Sequence, residues 1–257
     1  MTGTTTLVLA GSRGPEDPVA KLMGVSHKAF ASIAGVPMLV RVVRALITSP
    51  SVGMIHIAIE RPELVEQHPE LGLLLAGGRI ALLPAEGSPS RSVSAALETL
   101  GTPLFVTTAD HALLRPEWVD HFLTHLPDGT DVCVGLARDS VIQAAVPETK
   151  RTYLRFADGA FSGCNMFAFR TPAAAGVAQT WRQVEAQRKN PLRMIRLLGP
   201  LSILKFLLGR LTLTAALARL GRITGARAGV VEMPFGLAAV DVDKAADVEL
   251  AERLLSV

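Results

Sequence analysis

The chain has 257 residues, 49% hydrophobic and 19% charged, enough apolar material for a full core and too much for a disordered chain. Its net charge of +3 is unevenly placed: Arg182 to Arg227 holds ten Lys or Arg against one acid, Glu185, so this window carries +9 and the remainder −6. An acidic bulk beside a basic window rich in leucine, not in base-stacking aromatics, excludes a general nucleic-acid binder and points one segment toward an anionic surface. Two cysteines, Cys133 and Cys164, lack C-x-x-C spacing; they exclude a disulfide framework and fit buried free thiols in a reducing compartment. No basic region precedes the short first apolar run, so no signal peptide is expected and the expected location is the cytoplasm.

The first predicted strand, Leu7-Val8-Leu9-Ala10, breaks at Gly11-Ser12-Arg13-Gly14. A strand running into such a turn leaves several backbone N–H groups pointing the same way, a concavity that suits phosphate. Arg13 within the turn and Lys28 beyond it can each stabilise phosphate charge. Neither G-x-G-x-x-G nor G-x-x-x-x-G-K-[ST] is present, which removes the dinucleotide fingerprint and the P-loop. Pro37 suits the first turn of a helix reaching Thr48. Met54–Ile59 and Arg79–Leu83 read as further strands, and strand, helix, strand at this spacing predicts a largely parallel sheet covered by helices. From Pro84 to Leu97 a serine-rich entry opens another helix; Arg91 and Ser92 are candidate ligand contacts there, with simple capping as the alternative.

Pro103–Thr108 is a strand that ends at Ala109-Asp110. Ligands of open α/β sheets sit beyond the carboxyl ends of the strands, so Asp110 is expected near the Gly11 turn. A strand-end aspartate suits Mg²⁺, which takes one or two carboxylates plus phosphate oxygens, although a turn or N-cap role is the alternative. His111 reads as a neighbour shaping the pocket, and Pro116 starts a helix. Thr130–Leu136 is a strand, Ile142–Phe156 a set of irregular hairpins whose Lys150, Arg151 and Arg155 read equally as anion contacts or solvated surface. Phe161–Phe169 is a strand and Thr171–Gln187 a helix. The segment 191–221 is apolar and basic, cut by Gly199-Pro200 and Gly209 into short helices, and no part reaches the length of uncharged residues needed to span a bilayer. It reads as a helical subdomain or dimer surface, as a basic amphipathic patch on a membrane, or as an apolar acceptor pocket. Ala228–Met233 is a final strand. Asp241 and Asp243 alternate on the extended segment after it and so are expected to share a face; Asp243 also reads as the N-cap of the last helix.

Leu9-Ala10-Gly11, Arg13, Lys28 and Gly35-Val36-Pro37-Met38-Leu39 resemble the signature of the MobA-like nucleotidyltransferases, which begins LAGG-x-S-x-R-M-G-x-x-K and continues G-x-P-[ML]-L. The second glycine and the R-M-G core are missing, and Pro15 to His27 is an insertion. Arg91-Ser92-Val93-Ser94-Ala95-Ala96-Leu97 is similar to the segment that holds base and ribose in cytidylyl- and guanylyltransferases. Ala109-Asp110 with Leu113-Leu114 is similar to the family's A-D-x-P-L-[LV] metal motif, with Ala112 in the proline position. Gly163-Cys164-Asn165 falls where relatives carry an acceptor-side G-x-N, and Asp241-Val242-Asp243 looks like the closing D-[IV]-D.

The resemblance covers residues 5 to about 170 and 228 to 255. It implies a three-layer α/β/α sandwich of the nucleotide-diphospho-sugar transferase type, with a mostly parallel mixed sheet, over a single domain 1–257 carrying a helical insertion at 191–221. It implies Mg²⁺-dependent transfer of a nucleoside monophosphate from a triphosphate, CTP or GTP, to a small phosphorylated acceptor with release of pyrophosphate. Leu9, Ala10, Gly11, Ser12, Arg13, Lys28, Arg91 and Ser92 would bind the nucleotide, with Arg13, Lys28 and Asp110 catalytic. Gly163 and Asn165 would face the acceptor, and Asp110 with Asp241 or Asp243 would hold the metal. Peripheral contact with the inner membrane face or a homodimer through 191–221 stays open. A glycosyltransferase of this fold, which would show D-x-D after the central strand, and a non-catalytic nucleotide-binding or membrane-docked protein are the alternatives.

Overall fold

The structure, a computed structural model, describes residues 3–12, 14–149, 151–187 and 199–256; Arg13, Lys150 and positions 191–198 of the basic segment lie outside them. The sheet is built on β1 (Thr4–Leu9), flanked by β4 (Val52–Ile59) and β6 (Leu104–Thr108), both parallel to it. β5 (Ile80–Pro84) extends the β4 side in parallel. On the other side β9 (Gly159–Phe169) lies antiparallel between β6 and β7 (Val132–Arg138), and β10 (Ala228–Glu232) closes the edge parallel to β7. The order is β10-β7-β9-β6-β1-β4-β5, with β8 (Leu154–Phe156) hairpinned onto β9 and a two-residue ribbon of β2 (Ser32–Ile33) and β3 (Val36–Pro37) beside it.

Side chains alternate across a strand, and β1 sends them into two separate cores. Val8 joins the cluster under α2 (Met38–Thr48), α6 (Pro116–Thr124) and the closing helix α11 (Ala245–Leu255). Leu7 joins the opposite cluster, where Val93 and Ala96 of α5 (Pro89–Leu100) meet Ala174, just before α8 (Ala175–Gln187), and Ala178 within it. Such double-sided burial is why the central strands read as largely apolar runs. The result is the expected mixed, mostly parallel sheet between two helical layers.

Four local expectations are corrected. The strand placed at Thr130–Leu136 runs two residues later, because Thr130 and Asp131 are held by Arg170 and Thr171 outside the ladder. Ile142–Phe156 is not all hairpin: Asp139–Ala145 is helical (α7) and only Leu154–Phe156 pairs. Thr171 precedes a short 3₁₀ turn at Pro172–Ala174, where proline suits the entry. Asp241 and Asp243 do not lie on a strand, since the chain leaves the sheet at Glu232.

Between α8 and β10 stand two further helices, α9 (Pro200–Leu207) and α10 (Leu213–Thr224). The C-terminal end of α10 packs onto α8 at Gly176, where a β-carbon would lie 2.2 Å from the Thr224 carbonyl oxygen. Gly176→Ala is therefore expected to destabilise the protein by about 1–3 kcal/mol, whereas Gly87→Ala, which points into open space, should change little; urea unfolding of the two variants checks this.

Candidate active site

Hydrogen bonding of the sheet runs one residue past the ends of its central strands: Ala10 N–H donates to Ala58 O at 2.9 Å and Ala109 N–H to Leu9 O at 2.9 Å. Gly11 and Asp110 consequently emerge side by side at the carboxyl edge. A β-carbon on Gly11 would stand 3.8 Å from Ala85 Cβ and 3.9 Å from Glu60 Oε2, so the turns after β1, β4 and β5 meet there. Glu60 is the tie between them. Its Oε1 accepts the Ser12 N–H at 3.0 Å and lies 3.1 Å from Nε2 of His27, which is 1% exposed. His27 Nδ1 accepts the Ala29 N–H, so the proton sits on Nε2 and is donated to Glu60. One carboxylate thus pins the glycine turn to the 3₁₀ turn Lys28–Phe30 that carries the lysine.

Lys28 Nζ lies 2.8 Å from Asp110 Oδ2 and 2.5 Å from Asp243 Oδ1. Burial pulls its pKa down, but the two carboxylates outweigh burial and hold it above the ordinary lysine value. Burial raises Asp110 above the usual carboxylate range against the opposing pull of Lys28 and of the Thr108 hydroxyl, which donates to its Oδ1 at 2.5 Å. The closing segment is brought here by its backbone, since Val242 N–H donates to Asp110 O at 3.0 Å.

Asp241 turns the other way. It pairs with Arg151 at 2.7 Å and accepts from Asn165 Nδ2 at 3.0 Å; burial pushes its pKa up, but the guanidinium and the amide prevail and hold it low. Arg151 is raised for the matching reason, the pull of Asp241 exceeding the cost of burial. Asn165 reaches Asp241 from a bulge. Val134 pairs with Phe167 and Leu136 with Gly163, so three residues of β9 face Gly135 alone, and Asn165 at their centre has φ +50°. Asparagine tolerates that left-handed conformation, and bulges of this kind re-aim a side chain. Asp247 Oδ2 accepts the N–H groups of Asp243 and Lys244, and Lys244 rather than Asp243 is the N-cap of α11. Together Arg151, Thr152, Ser162, Gly163, Asn165, Asp241, Asp243, Lys244 and Asp247 line a cleft of about 350 Å³.

The structure therefore brings Gly11, Ser12, Lys28, Asp110 and Asp243 together, with Leu9 and Ala10 as the strand end behind the turn. Gly163, Asn165 and Asp241 adjoin them in the cleft. Arg91 is exposed on the first turn of α5, while Ser92 is buried and its hydroxyl accepts the Glu86 N–H at 2.9 Å, which folds the loop after β5 against the helix. His111 is fully buried against Trp118, and burial brings its pKa down to about 4, so it is neutral near neutral pH. Glu60 and His27 are the residues sequence reading missed. The positions of Glu60 after a central strand and of His27 beside Lys28 were the available signals; Arg151 as solvated surface is corrected by its pairing.

A glycine turn, a lysine and paired carboxylates stand at the carboxyl edge of a mostly parallel sheet, where open α/β folds bind their ligands. The family model of the MobA-like NTP transferase domain matches residues 6–197, and the chain belongs to that family. A solved hypothetical transferase from Thermus thermophilus is 31% identical, covers 96% of this chain and 100% of its own, and superposes with a TM-score of 0.80. CMP-2-keto-3-deoxy-manno-octonic acid synthetase, solved with CTP, is 15% identical over 100% of this chain and 99% of its own, with a TM-score of 0.56. The 4-diphosphocytidyl-2C-methyl-D-erythritol synthase of Anaerococcus prevotii is 10% identical over 100% and 97%, with a TM-score of 0.60. These last two share the fold. No curated protein matches the sequence.

Removing one partner of a buried ion pair leaves a charge without compensation. Arg151→Met is expected to cost about 3 kcal/mol for that reason, and adding Asp241→Asn should recover most of it; denaturation of the single and double variants checks the coupling.

Proposed function

We propose that the protein is a Mg²⁺-dependent nucleotidyltransferase that moves a nucleoside monophosphate from CTP or GTP to a small phosphorylated acceptor. The observation that carries this reading is the convergence of Asp110 and Asp243 on one ammonium group beside the glycine turn. Two carboxylates already meet at a point occupied by positive charge, and their hard oxygens suit Mg²⁺. Among the described residues no group of three or more His, Cys, Asp or Glu is placed to hold a metal, so an ion between Asp110 and Asp243 would complete its shell with phosphate oxygens and water, as Mg²⁺ commonly does. When bound, it would offset phosphate charge as pyrophosphate departs.

In this reading Gly11, Ser12 and Arg13 cradle the triphosphate, and Arg91 and Ser92 meet the nucleoside. Lys28 exchanges its carboxylate partners for a phosphate oxygen. Gly163, Asn165, Asp241 and Arg151 orient the acceptor. An acceptor phosphate oxygen attacks the α-phosphorus in line; its new P–O bond forms as the bond to the bridging oxygen breaks and pyrophosphate takes the electron pair. An acceptor phosphate is already ionised near neutral pH, so the chain needs to supply no base, and positioning with charge neutralisation provides the rate. CTP is the first nucleotide to test, because two solved proteins of this fold bear cytidylyl chemistry in their names. Asp110 is followed by His111-Ala112, without the second acid of D-x-D, which favours nucleotidyl over glycosyl transfer.

Purified protein with CTP or GTP, Mg²⁺ and a panel of phosphorylated acceptors is expected to release pyrophosphate, and chelation of the metal to stop it. Lys28→Met, Asp110→Asn and Asp243→Asn should each lower kcat by about a hundredfold or more. Asp241→Asn should act chiefly on KM for the acceptor. Full activity in Asp110→Asn would remove the metal assignment.

A further inference from the structure

α9 and the turn after it expose apolar side chains. Leu204, Leu207 and Leu208 are 53%, 75% and 58% exposed, with Leu201 and Phe206 beside them, and every residue from Leu204 to Arg210 is exposed. Interleaved with them are Lys205 and Arg210, and the run holds no acid. Soluble surfaces rarely keep so many large apolar groups together without a use for them. Gly209, at φ +64°, turns the chain at the end of this tip and lets it return. The return is anchored: Ala157 N–H donates to Leu211 O at 2.9 Å, Leu213 N–H donates to the Asp158 carboxylate at 2.9 Å, and Phe206 meets Phe156 edge-on with centroids 5.9 Å apart. Residues 156–159 form the β8–β9 hairpin turn, whose next residues include Ser162 and Gly163 of the cleft. Leu154 of the same hairpin is also exposed.

We infer that this tip docks on an anionic phospholipid surface. Leucine and phenylalanine would enter the headgroup boundary while Lys205 and Arg210 meet lipid phosphates, the two attractions adding. In sequence the tip lies within the window from Arg182 to Arg227, ten cations against one acid, a charge balance that complements anionic lipid. A second copy is a poorer occupant, because a twofold contact sets the same patch against itself and would bring Lys205 and Arg210 against their own kind. No helix among the described residues is long and apolar enough to cross a membrane, so the contact is peripheral. Docked this way, the hairpin turn would lie at the lipid surface, a few residues along β9 from Ser162 and Gly163 of the cleft.

Flotation of the full chain with phosphatidylcholine vesicles, with and without phosphatidylglycerol, tests this directly and needs no catalytic activity. Binding to the anionic vesicles at low salt is expected, falling about tenfold or more without phosphatidylglycerol or at high salt. Leu204→Glu combined with Leu207→Glu should abolish it, with an unchanged unfolding transition, since both side chains are exposed. Equal binding by that variant, or no binding of the native chain at low salt, overturns the inference. A dimer that the same substitutions dissociate, without vesicle binding, overturns it in favour of a second copy.

Discussion

One ammonium group holds the candidate site together. Lys28, from the turn that follows the glycine loop, is shared by Asp110 at the end of β6 and Asp243 from the closing segment, three points far apart in sequence. Charges taken out of water must be paired, and Lys28 is buried among the ends of the central strands with a side chain only 11% exposed. Two carboxylates against one cation leave the cluster negative. In the proposed reaction a metal ion would supply the positive charge this cluster lacks, and Lys28 would then be free to meet a triphosphate.

The rest of the fold serves that cluster. Parallel strands β5, β4, β1 and β6 deliver their following turns to one edge, and Glu60 with His27 locks two of those turns together. The antiparallel β9 contributes Ser162 and Gly163 to the cleft wall. Its bulge opposite Gly135 re-aims Asn165 toward Asp241, and Arg151 then completes a second charged group alongside the first. The two aspartates of the closing segment therefore serve neighbouring but distinct partners, one the lysine and one the arginine.

Much of the scaffold was legible in the sequence because its causes are local. Leu7–Ala10, Ile55–Ile59 and Leu104–Thr108 are mostly apolar, with His56, Thr107 and Thr108 the exceptions, since both faces of each strand are covered, and Asp110 follows from its place at a strand end. Asp241 and Asp243 were harder. Period-two alternation places side chains on one face only while a strand is paired in a sheet, and this segment has left the sheet, tied back to its edge where Val242 N–H meets Asp110 O. The pairings of Arg151 and Glu60 were hidden for another reason: their partners lie 90 and 48 residues away, so sequence position alone could not name Asp241 or Ser12 as the partner. The exposed leucines near α9 are legible as composition, but that they form the outer tip of an anchored turn is a fact of the fold.

The most direct measurement is a crystal structure of the protein with Mn²⁺ and a non-hydrolysable CTP or GTP analogue, with the metal located by its anomalous scattering. The expected result is a metal peak bridging Asp110 and Asp243, with the Lys28 ammonium moved from those carboxylates to a phosphate oxygen. A triphosphate bound elsewhere, or a metal that leaves the Lys28 ammonium seated between the two aspartates, would contradict it.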